Sequence, residues 1–197
     1  MVTADTLKYQ SANPIKRLLI KRFQNKLLTL IKSTNARNVL DAGCGEGYLL
    51  SFLNNQIKDW HIEAFDINNE LVAKAKHKTP NASLTVQDIY NCNYPDRSFD
   101  LVINTEVLEH LQDPRKALNE MGRLTKKWVI LSVPNEPFFS LSNFICGKNI
   151  LRLGNDAGHL NRWSTKSFIG LISRFFVITA VSKPFPWTII LCEKKYE

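Results

Sequence analysis

The sequence lacks a long apolar run. The two longest, Trp128 to Val133 and Trp187 to Cys192, are far shorter than the roughly 20 residues that a membrane-spanning helix needs. The N-terminus also lacks the apolar region of a signal peptide. We therefore expect no transmembrane segment and a cytoplasmic location.

Cysteine is scarce, and its copies are widely separated. Cys44, Cys92, Cys146 and Cys192 form no C-x-x-C pair. The spacing therefore excludes the common zinc-binding and redox motifs. We expect reduced, partly buried thiols at these positions.

Low-complexity segments and internal repeats are absent as well. The length of 197 residues fits a single domain with one main core. An apolar content of 44% and a charged content of 22% indicate a globular rather than a disordered chain. The net charge of +8 favours an anionic substrate or partner such as RNA, a phosphorylated metabolite or a lipid headgroup, although it could serve only solubility. The sequence predicts no particular oligomeric state.

Alternating glycines follow the first strand-like run. The apolar segment 39–42 leads into Gly43, Gly45 and Gly47, and an apolar helical pattern begins after them. This order predicts a strand, a tight turn and a helix, with backbone conformations that glycine tolerates best. A dinucleotide-binding turn would need a further glycine where Tyr48 stands. Asp41 would suit a cationic amine better than a pyrophosphate.

The pattern D-x-G-x-G-x-G over residues 41–47 resembles motif I of the class I S-adenosylmethionine-dependent methyltransferases. This resemblance implies that Asp41 and the backbone at Gly43 and Gly45 hold the methionine end of the cofactor. An ordinary turn between a strand and a helix is the alternative.

Further candidate cofactor ligands lie where the next strands end. We expect Asp66, next to Ile67, to accept hydrogen bonds from the ribose, although an aspartate there could instead cap the following helix. The resemblance implies that Asp88 accepts from the adenine amino group and that Ile89 covers the ring. Asn104 emerges at the ligand end of the fourth strand.

A second motif follows the fourth strand. The phrase S-F-D-L-V, followed by E-V-L-E-H at residues 106–110, is similar to motif IV of many small-molecule and some RNA methyltransferases. A base is needed only if the acceptor must lose a proton, and the candidates are His110 and His159. Either histidine could instead be structural.

The order of elements predicts the fold class. Strands alternate with helices from residue 38 to 176, and a closing strand pair lacks a helix between its members. We expect an α/β protein with a seven-stranded, doubly wound, mostly parallel sheet, helices on both faces and a reversed edge strand, the Rossmann-like methyltransferase fold. Asp113 should begin a helix whose C-terminal turn contains Arg123, Lys126 and Lys127.

Two segments are expected to flank the cofactor cleft. Residues 1–35 should form an N-terminal helical cap, with an amphipathic helix over 14–32 and with Tyr9 and Gln10 near the ligand. The basic side of that helix is expected to be solvated, and contact with a membrane surface is the alternative. Residues 135–163 show little periodicity and contain several aromatic residues, which indicates a substrate lid.

The predicted function is methyl transfer from S-adenosylmethionine, with S-adenosylhomocysteine as product and a small molecule as acceptor. A second possibility rests on Glu106, Glu109, His110 and His159. Their motifs resemble those of the metal-dependent methyltransferases that act on the 2′-hydroxyl of small-RNA 3′ ends. This resemblance implies a divalent metal ion in addition to the cofactor. Two functions of a different class also stay open, namely a non-catalytic cofactor-binding subunit and a nicotinamide oxidoreductase.

Overall fold

The computed structural model describes residues 4–145, 150–156 and 158–195. Cys146, which the sequence analysis singled out, lies outside these residues, as do parts of the predicted cap and lid. Cys44, Cys92 and Cys192 are buried, and Cys92 and Cys192 are free thiols. None of the helices in the described part of the chain combines the length and the apolar character that a bilayer crossing requires.

The sheet has seven strands in the order β3-β2-β1-β4-β5-β7-β6. Strands β1 to β5 pair in parallel, and β7 runs antiparallel to both of its neighbours. The expected seven-stranded, mostly parallel sheet is confirmed, and its reversed strand is β7, between β5 and β6. The strands are β1 Asn38–Ala42, β2 His61–Asp66, β3 Ser83–Val86, β4 Phe99–Thr105, β5 Thr125–Pro134, β6 Phe176–Ser182 and β7 Trp187–Lys194.

The helices cover both faces of this sheet. Successive strand residues alternate between two apolar clusters, so that Leu101 and Ile103 pack with α2, α3 and α4 while Val102 packs with α5 and α7. The helices are α1 Ala4–Tyr9, α2 Pro14–Ser33, α3 Tyr48–Gln56, α4 Asn69–Lys78, α5 Pro114–Leu124, α6 Phe138–Ile145 and α7 Thr165–Ile172, with 3₁₀ turns at Leu108–His110 and Ile150–Arg152.

One helix boundary was predicted wrongly. Helix α5 begins after its N-cap Asp113, as expected, but it ends at Leu124, so Lys126 and Lys127 lie in β5. The strand satisfies both side chains there: Lys126 donates to Asp100 across to β4 at 2.9 Å, and the Lys127 ammonium lies 3.5 Å from Oε1 of Glu193 across to β7. Cross-strand partners therefore outweigh the preference of lysine for a helix C-terminus.

The segment 135–163 contains a helix that the sequence analysis did not expect. Helix α6 has only eight residues, which are too few for its helical spacing of apolar residues to stand out in the sequence. The two ends of the segment meet, because Asn135 forms an isolated bridge with Trp163 and the Glu136 amide donates to the Trp163 carbonyl at 2.9 Å. The segment is therefore a loop closed at its base, and its expected role as a substrate lid stays a prediction.

Candidate active site

The glycine turn connects β1 to α3. All three glycines have positive φ, as the spacing predicted, and the amides of Gly43 and Cys44 both donate to the Phe65 carbonyl at 2.9 Å. Gly43 has φ +90°, and a Cβ atom there would lie 2.5 Å from Cγ2 of Val107. The segment after β4 therefore packs directly on the glycine turn.

Asp66 braces this turn from the end of β2. Its Oδ2 accepts from the Gly45 amide at 2.9 Å, and its Oδ1 accepts from the Asn68 amide at 2.9 Å. The N-cap of α4 is Asn68, whose side chain accepts from the amides of the first helical turn. The alternative that Asp66 caps this helix is thus wrong.

Asp41 is the buried carboxyl group of the turn. Its residue is 2% exposed, and burial, followed by the nearby Asp66 carboxylate, raises the pKa of Asp41 to about 7. No basic side chain in the described residues forms an ion pair with it. A cationic amine bound here would favour the ionised carboxylate and supply the missing counter-charge.

The other candidate ligands differ in exposure. Ile67 is 71% exposed and Asp88 is exposed, whereas Ile89 is buried. Asn104 is fully buried, and its Nδ2 donates to the Ala42 carbonyl at 2.6 Å while its Oδ1 has no partner in the described structure. Their roles toward the cofactor stay predictions.

Helix α1 lies over the glycine turn. The Thr6 hydroxyl donates to Oε2 of Glu46 at 2.7 Å, and Lys74 donates to Oε1 of the same carboxylate at 2.6 Å. The rings of Tyr9 and Tyr48 stack with their centres 5.2 Å apart. Tyr9 therefore lies beside the turn, as the sequence analysis expected.

Lys8 connects α1 to the segment after β4. Its ammonium group forms an ion pair with Glu106, which has φ +57°. The same ammonium lies 5.1 Å from the centre of the Trp187 ring and 5.7 Å from that of Phe23. This ion pair holds the Glu106 carboxylate beside α1.

A carboxyl group and two imidazoles converge next to this ion pair. One ligand atom from each of Glu109, His110 and His159 lies within 4.8 Å of the others, and we call these three residues the Glu-His-His cluster. The two imidazole ring centres are 5.0 Å apart. Both carboxyl oxygens of Glu109 are buried and have no hydrogen-bond partner in the described structure. Such a group is costly to bury unless a ligand satisfies it.

Backbone contacts hold the cluster together. The amides of Leu160 and Asn161 donate to the Glu109 carbonyl at 2.8 and 3.0 Å, which fixes the lid next to the 3₁₀ turn. His110 Nδ1 lies 2.8 Å from the Gly158 carbonyl. Because a carbonyl only accepts, Nδ1 carries the proton and Nε2 is left free to accept or to bind a metal ion.

The protonation states of the cluster follow from its burial. Burial, and then the charge of Glu106, raises the pKa of Glu109 well above its ordinary value. Burial, and then the neighbouring His110, lowers the pKa of His159, so its neutral imidazole is favoured. A neutral imidazole can take a proton or bind a metal ion.

The cluster could also hold a divalent ion. Two ligand atoms on opposite sides of a magnesium ion are about 4.2 Å apart. The ligand atoms of the Glu-His-His cluster lie within 4.8 Å of one another. A small inward shift of these side chains would therefore let one ion contact all three. The unpartnered carboxylate oxygens of Glu109 suit such an ion. Of the four predicted ligands, Glu106 is the one outside the cluster, because it is paired with Lys8.

The sequence analysis missed several polar residues of this region. Glu46 stands between two glycines, where a charged residue usually faces solvent, yet it is 1% exposed. Ser132 and Trp187 present a buried hydroxyl oxygen and a buried indole nitrogen without a partner in the described residues. No signal in the sequence marks them, because their burial depends on tertiary packing: Thr6 of α1 and Lys74 of α4 contact Glu46, and Ser132 and Trp187 lie in neighbouring strands of the sheet.

Comparison with known proteins identifies the family. A family model described as a methyltransferase domain matches residues 7–175. The chain belongs to this methyltransferase-domain family. The resemblance to class I S-adenosylmethionine-dependent methyltransferases is thereby confirmed. The match decides against a nicotinamide oxidoreductase.

One similar curated protein is a probable S-adenosylmethionine-dependent methyltransferase of Mycobacterium tuberculosis. It is 30% identical over 131 residues, which cover 64% of this chain and 46% of the relative. The chain spans roughly half the length of the curated relatives it matches.

Two solved structures share the fold and contain S-adenosylhomocysteine. Magnesium protoporphyrin IX methyltransferase from Synechocystis PCC 6803 has a TM-score of 0.71 at 18% identity, with 94% of this chain and 89% of that chain covered. The N-methyltransferase NodS from Bradyrhizobium japonicum has a TM-score of 0.70 at 19% identity, with coverage of 98% and 94%.

Proposed function

We propose that this protein transfers a methyl group from S-adenosylmethionine to a small-molecule acceptor whose nucleophilic atom binds at the Glu-His-His cluster. The observation that carries the acceptor site is the buried Glu109 carboxyl, which lacks a partner in the described residues and lies beside two imidazoles. Val107, two residues earlier, packs on the glycine turn, so the cluster adjoins the proposed cofactor site. A location in the cytoplasm remains part of this proposal.

The residues at the sheet edge fit the proposed cofactor. Asp41 would bind the methionine amine, the backbone at Gly43 and Gly45 would face the methionine end, and Asp66 would bind the ribose. Asp66 already accepts from the turn, so the ribose would share its oxygens with the Gly45 and Asn68 amides. A carboxylate oxygen has two lone pairs and can do both.

The chemistry would be one direct displacement. The acceptor atom forms a bond to the methyl carbon as the carbon-sulfur bond breaks, and S-adenosylhomocysteine leaves with the electron pair. The cofactor is already activated, so the protein contributes mainly by positioning the two reactants. If the acceptor is a hydroxyl or an ammonium group, its proton would pass to the neutral imidazole of His159 or to Nε2 of His110.

Labelled-methyl transfer tests this function. The isolated protein is incubated with methyl-labelled cofactor and separated small-molecule, lipid and RNA pools, which also distinguishes an enzyme from a non-catalytic subunit. We expect label in the small-molecule pool and a loss of roughly 10²- to 10⁴-fold in rate for a variant without the catalytic base. His110→Ala and His159→Ala are the informative variants, and His77→Ala, at an exposed position of α4, is the matched control. Equal rates in all three variants would contradict the assigned role.

A second candidate function is metal-dependent methylation of the 2′-hydroxyl at RNA 3′ ends. The specific observation in its favour is that the ligand atoms of Glu109, His110 and His159 lie close enough to bind one ion. When bound, a divalent ion would lower the pKa of a ribose hydroxyl and orient it. The net charge of +8 suits an RNA substrate.

Chelation separates the two candidates. The RNA function predicts methylation of RNA 3′ ends with manganese, its loss on chelation and its loss in His159→Ala. Binding of manganese measured by calorimetry should fall in the same variant. Methylation of a small molecule that persists in chelator would refute the RNA function and support the first proposal.

A further inference from the structure

Helix α2 has a one-sided charge distribution. Its 20 residues include six lysines and arginines and no acidic residue. Arg17, Lys21, Arg22 and Lys26 are exposed, and none of them forms a salt bridge within the described part of the chain. The helix therefore presents uncompensated positive charge to its surroundings.

Apolar side chains lie among these basic ones. Ile15 is 68% exposed and Leu18 is 49% exposed, although a different side of α2 packs in the core. At 100° per residue, Leu18 points away from the buried Phe23 and Leu27, and Arg17 and Lys21 lie on one flank with Arg22 on the other. A merely solvated helix face has no need of exposed leucine and isoleucine at its centre.

A second set of exposed apolar side chains lies in the lid and in the loop before β7. We call it the lid patch, and it consists of Phe138, Leu141, Phe144, Leu151, Leu153 and Phe185, each at least 42% exposed. The groove beside it has a volume of about 480 Å³ and includes Pro137 and Arg162 in its lining. Exposed apolar patches of this kind mark interaction sites.

The loop before β7 lies between α2 and the lid patch. Phe23 of α2 lies 5.2 Å from Trp187, measured between ring centres, and Phe138 lies 6.4 Å from Phe185. The Asn135 amide donates to the Pro186 carbonyl at 2.8 Å. Residues 185–187 therefore lie between the lid and the buried side of α2, so the lid patch adjoins the helix but does not share its exposed side.

We propose that α2 docks the protein on an anionic phospholipid bilayer with its exposed side, and that the adjoining lid patch is a second contact with the same bilayer. Lipid headgroups neutralise the basic side chains, and the upper acyl region takes up the leucines and phenylalanines. Binding to RNA would account for the exposed basic side chains, but it would not account for the exposed leucines. A second copy of the chain would cover the apolar groups but would bring two basic helices together. This inference does not depend on which acceptor is methylated.

Vesicle sedimentation of the full chain tests the proposal. We expect binding to vesicles of mixed phosphatidylcholine and phosphatidylserine, and much weaker binding to phosphatidylcholine alone. Each basic residue at an anionic surface strengthens binding about fivefold, so the triple variant Arg17→Gln, Lys21→Gln and Arg22→Gln should lose roughly 100-fold. Raising the salt from about 0.1 M to about 0.5 M should weaken binding as well, because the Debye length falls from about 10 Å to about 4 Å.

Two further variants make the result specific. A control with the same loss of charge at exposed positions elsewhere, Lys58→Gln with Lys76→Gln and Arg174→Gln, should retain binding apart from a small change. Leu141→Ser with Leu153→Ser should weaken binding at unchanged charge, and circular dichroism checks that each variant is folded.

Three results would overturn the proposal. One is the absence of binding to anionic vesicles. Another is an equal loss of vesicle binding in the triple variant and in the charge control. The third is the absence of vesicle binding together with binding to another partner. That partner would be a second copy of the chain, seen as concentration-dependent dimerisation, or RNA, seen as retention on filters, and the same variants would abolish its binding.

Discussion

Replacing Asp41 with asparagine should remove a pH dependence of S-adenosylmethionine binding. In the free protein the pKa of Asp41 is raised to about 7, so much of this carboxyl is protonated below neutral pH. The proposed methionine amine needs the ionised carboxylate. Cofactor binding should therefore lower the pKa of Asp41 and release a proton.

The size of the effect follows from that pKa. A carboxyl with a pKa of about 7 is ionised in about one molecule in eleven at pH 6 and in about half of the molecules at pH 7. An α-amine ordinarily has a pKa of about 7.7–8.0, so the cofactor stays mostly cationic over this range. The affinity of the wild-type protein should then rise about fivefold from pH 6 to pH 7.

Titration calorimetry in buffers of different ionisation enthalpy measures both quantities. At pH 6 we expect release of nearly one proton per cofactor bound by the wild type and none from this site in Asp41→Asn. Asp59→Asn, at an exposed position, is the control and should behave as wild type. Equal wild-type affinity at pH 6 and pH 7 without proton release would refute the placement of the amine at Asp41.

Three other predictions follow from the same site. Asp66→Ala should weaken cofactor binding by roughly tenfold to a hundredfold, since lost hydrogen bonds to the ribose cost about 1–3 kcal/mol, and unchanged affinity in calorimetry would contradict the ribose role. Gly43→Ala should lower the free energy of unfolding in denaturant titration by roughly 1–3 kcal/mol because of its positive φ, whereas Gly122→Ala, in helical α5 with its nearest neighbour at 3.5 Å, should not lower it. Amides of α6 should exchange with deuterium faster than those of β1 when no substrate is bound, and equal protection would mean that the lid is packed structure.

Local signals in the sequence predicted the sheet and the glycine turn well. The strands are short runs rich in apolar residues, and the alternating glycines adopt the expected positive φ. Helix α6 was missed because its eight residues are too few for a helical spacing to stand out in the sequence. Its position depends on Gly154, where a Cβ atom would lie 1.9 Å from the Ser140 carbonyl oxygen, and no local pattern reveals such a contact.

The candidate site could be predicted only in part, because contacts between distant parts of the sequence bring its residues together. His110 and His159 are 49 positions apart in sequence, and the fold places their rings side by side through the closed base of the lid. Glu106 was grouped with them because its spacing from Glu109 fits one helical turn. The structure instead pairs it with Lys8, from a short helix that carries no motif. Long-range ion pairs of this kind depend on tertiary packing, which sequence spacing does not determine.

A crystal structure with bound S-adenosylhomocysteine is the most direct test of the proposed active site. We predict that the ribose hydroxyls bind Asp66, that the amine lies beside Asp41, and that the sulfur faces Glu109, His110 and His159 across a space the size of an acceptor. A sulfur that points away from these three residues, or a ribose bound elsewhere than at Asp66, would contradict the account.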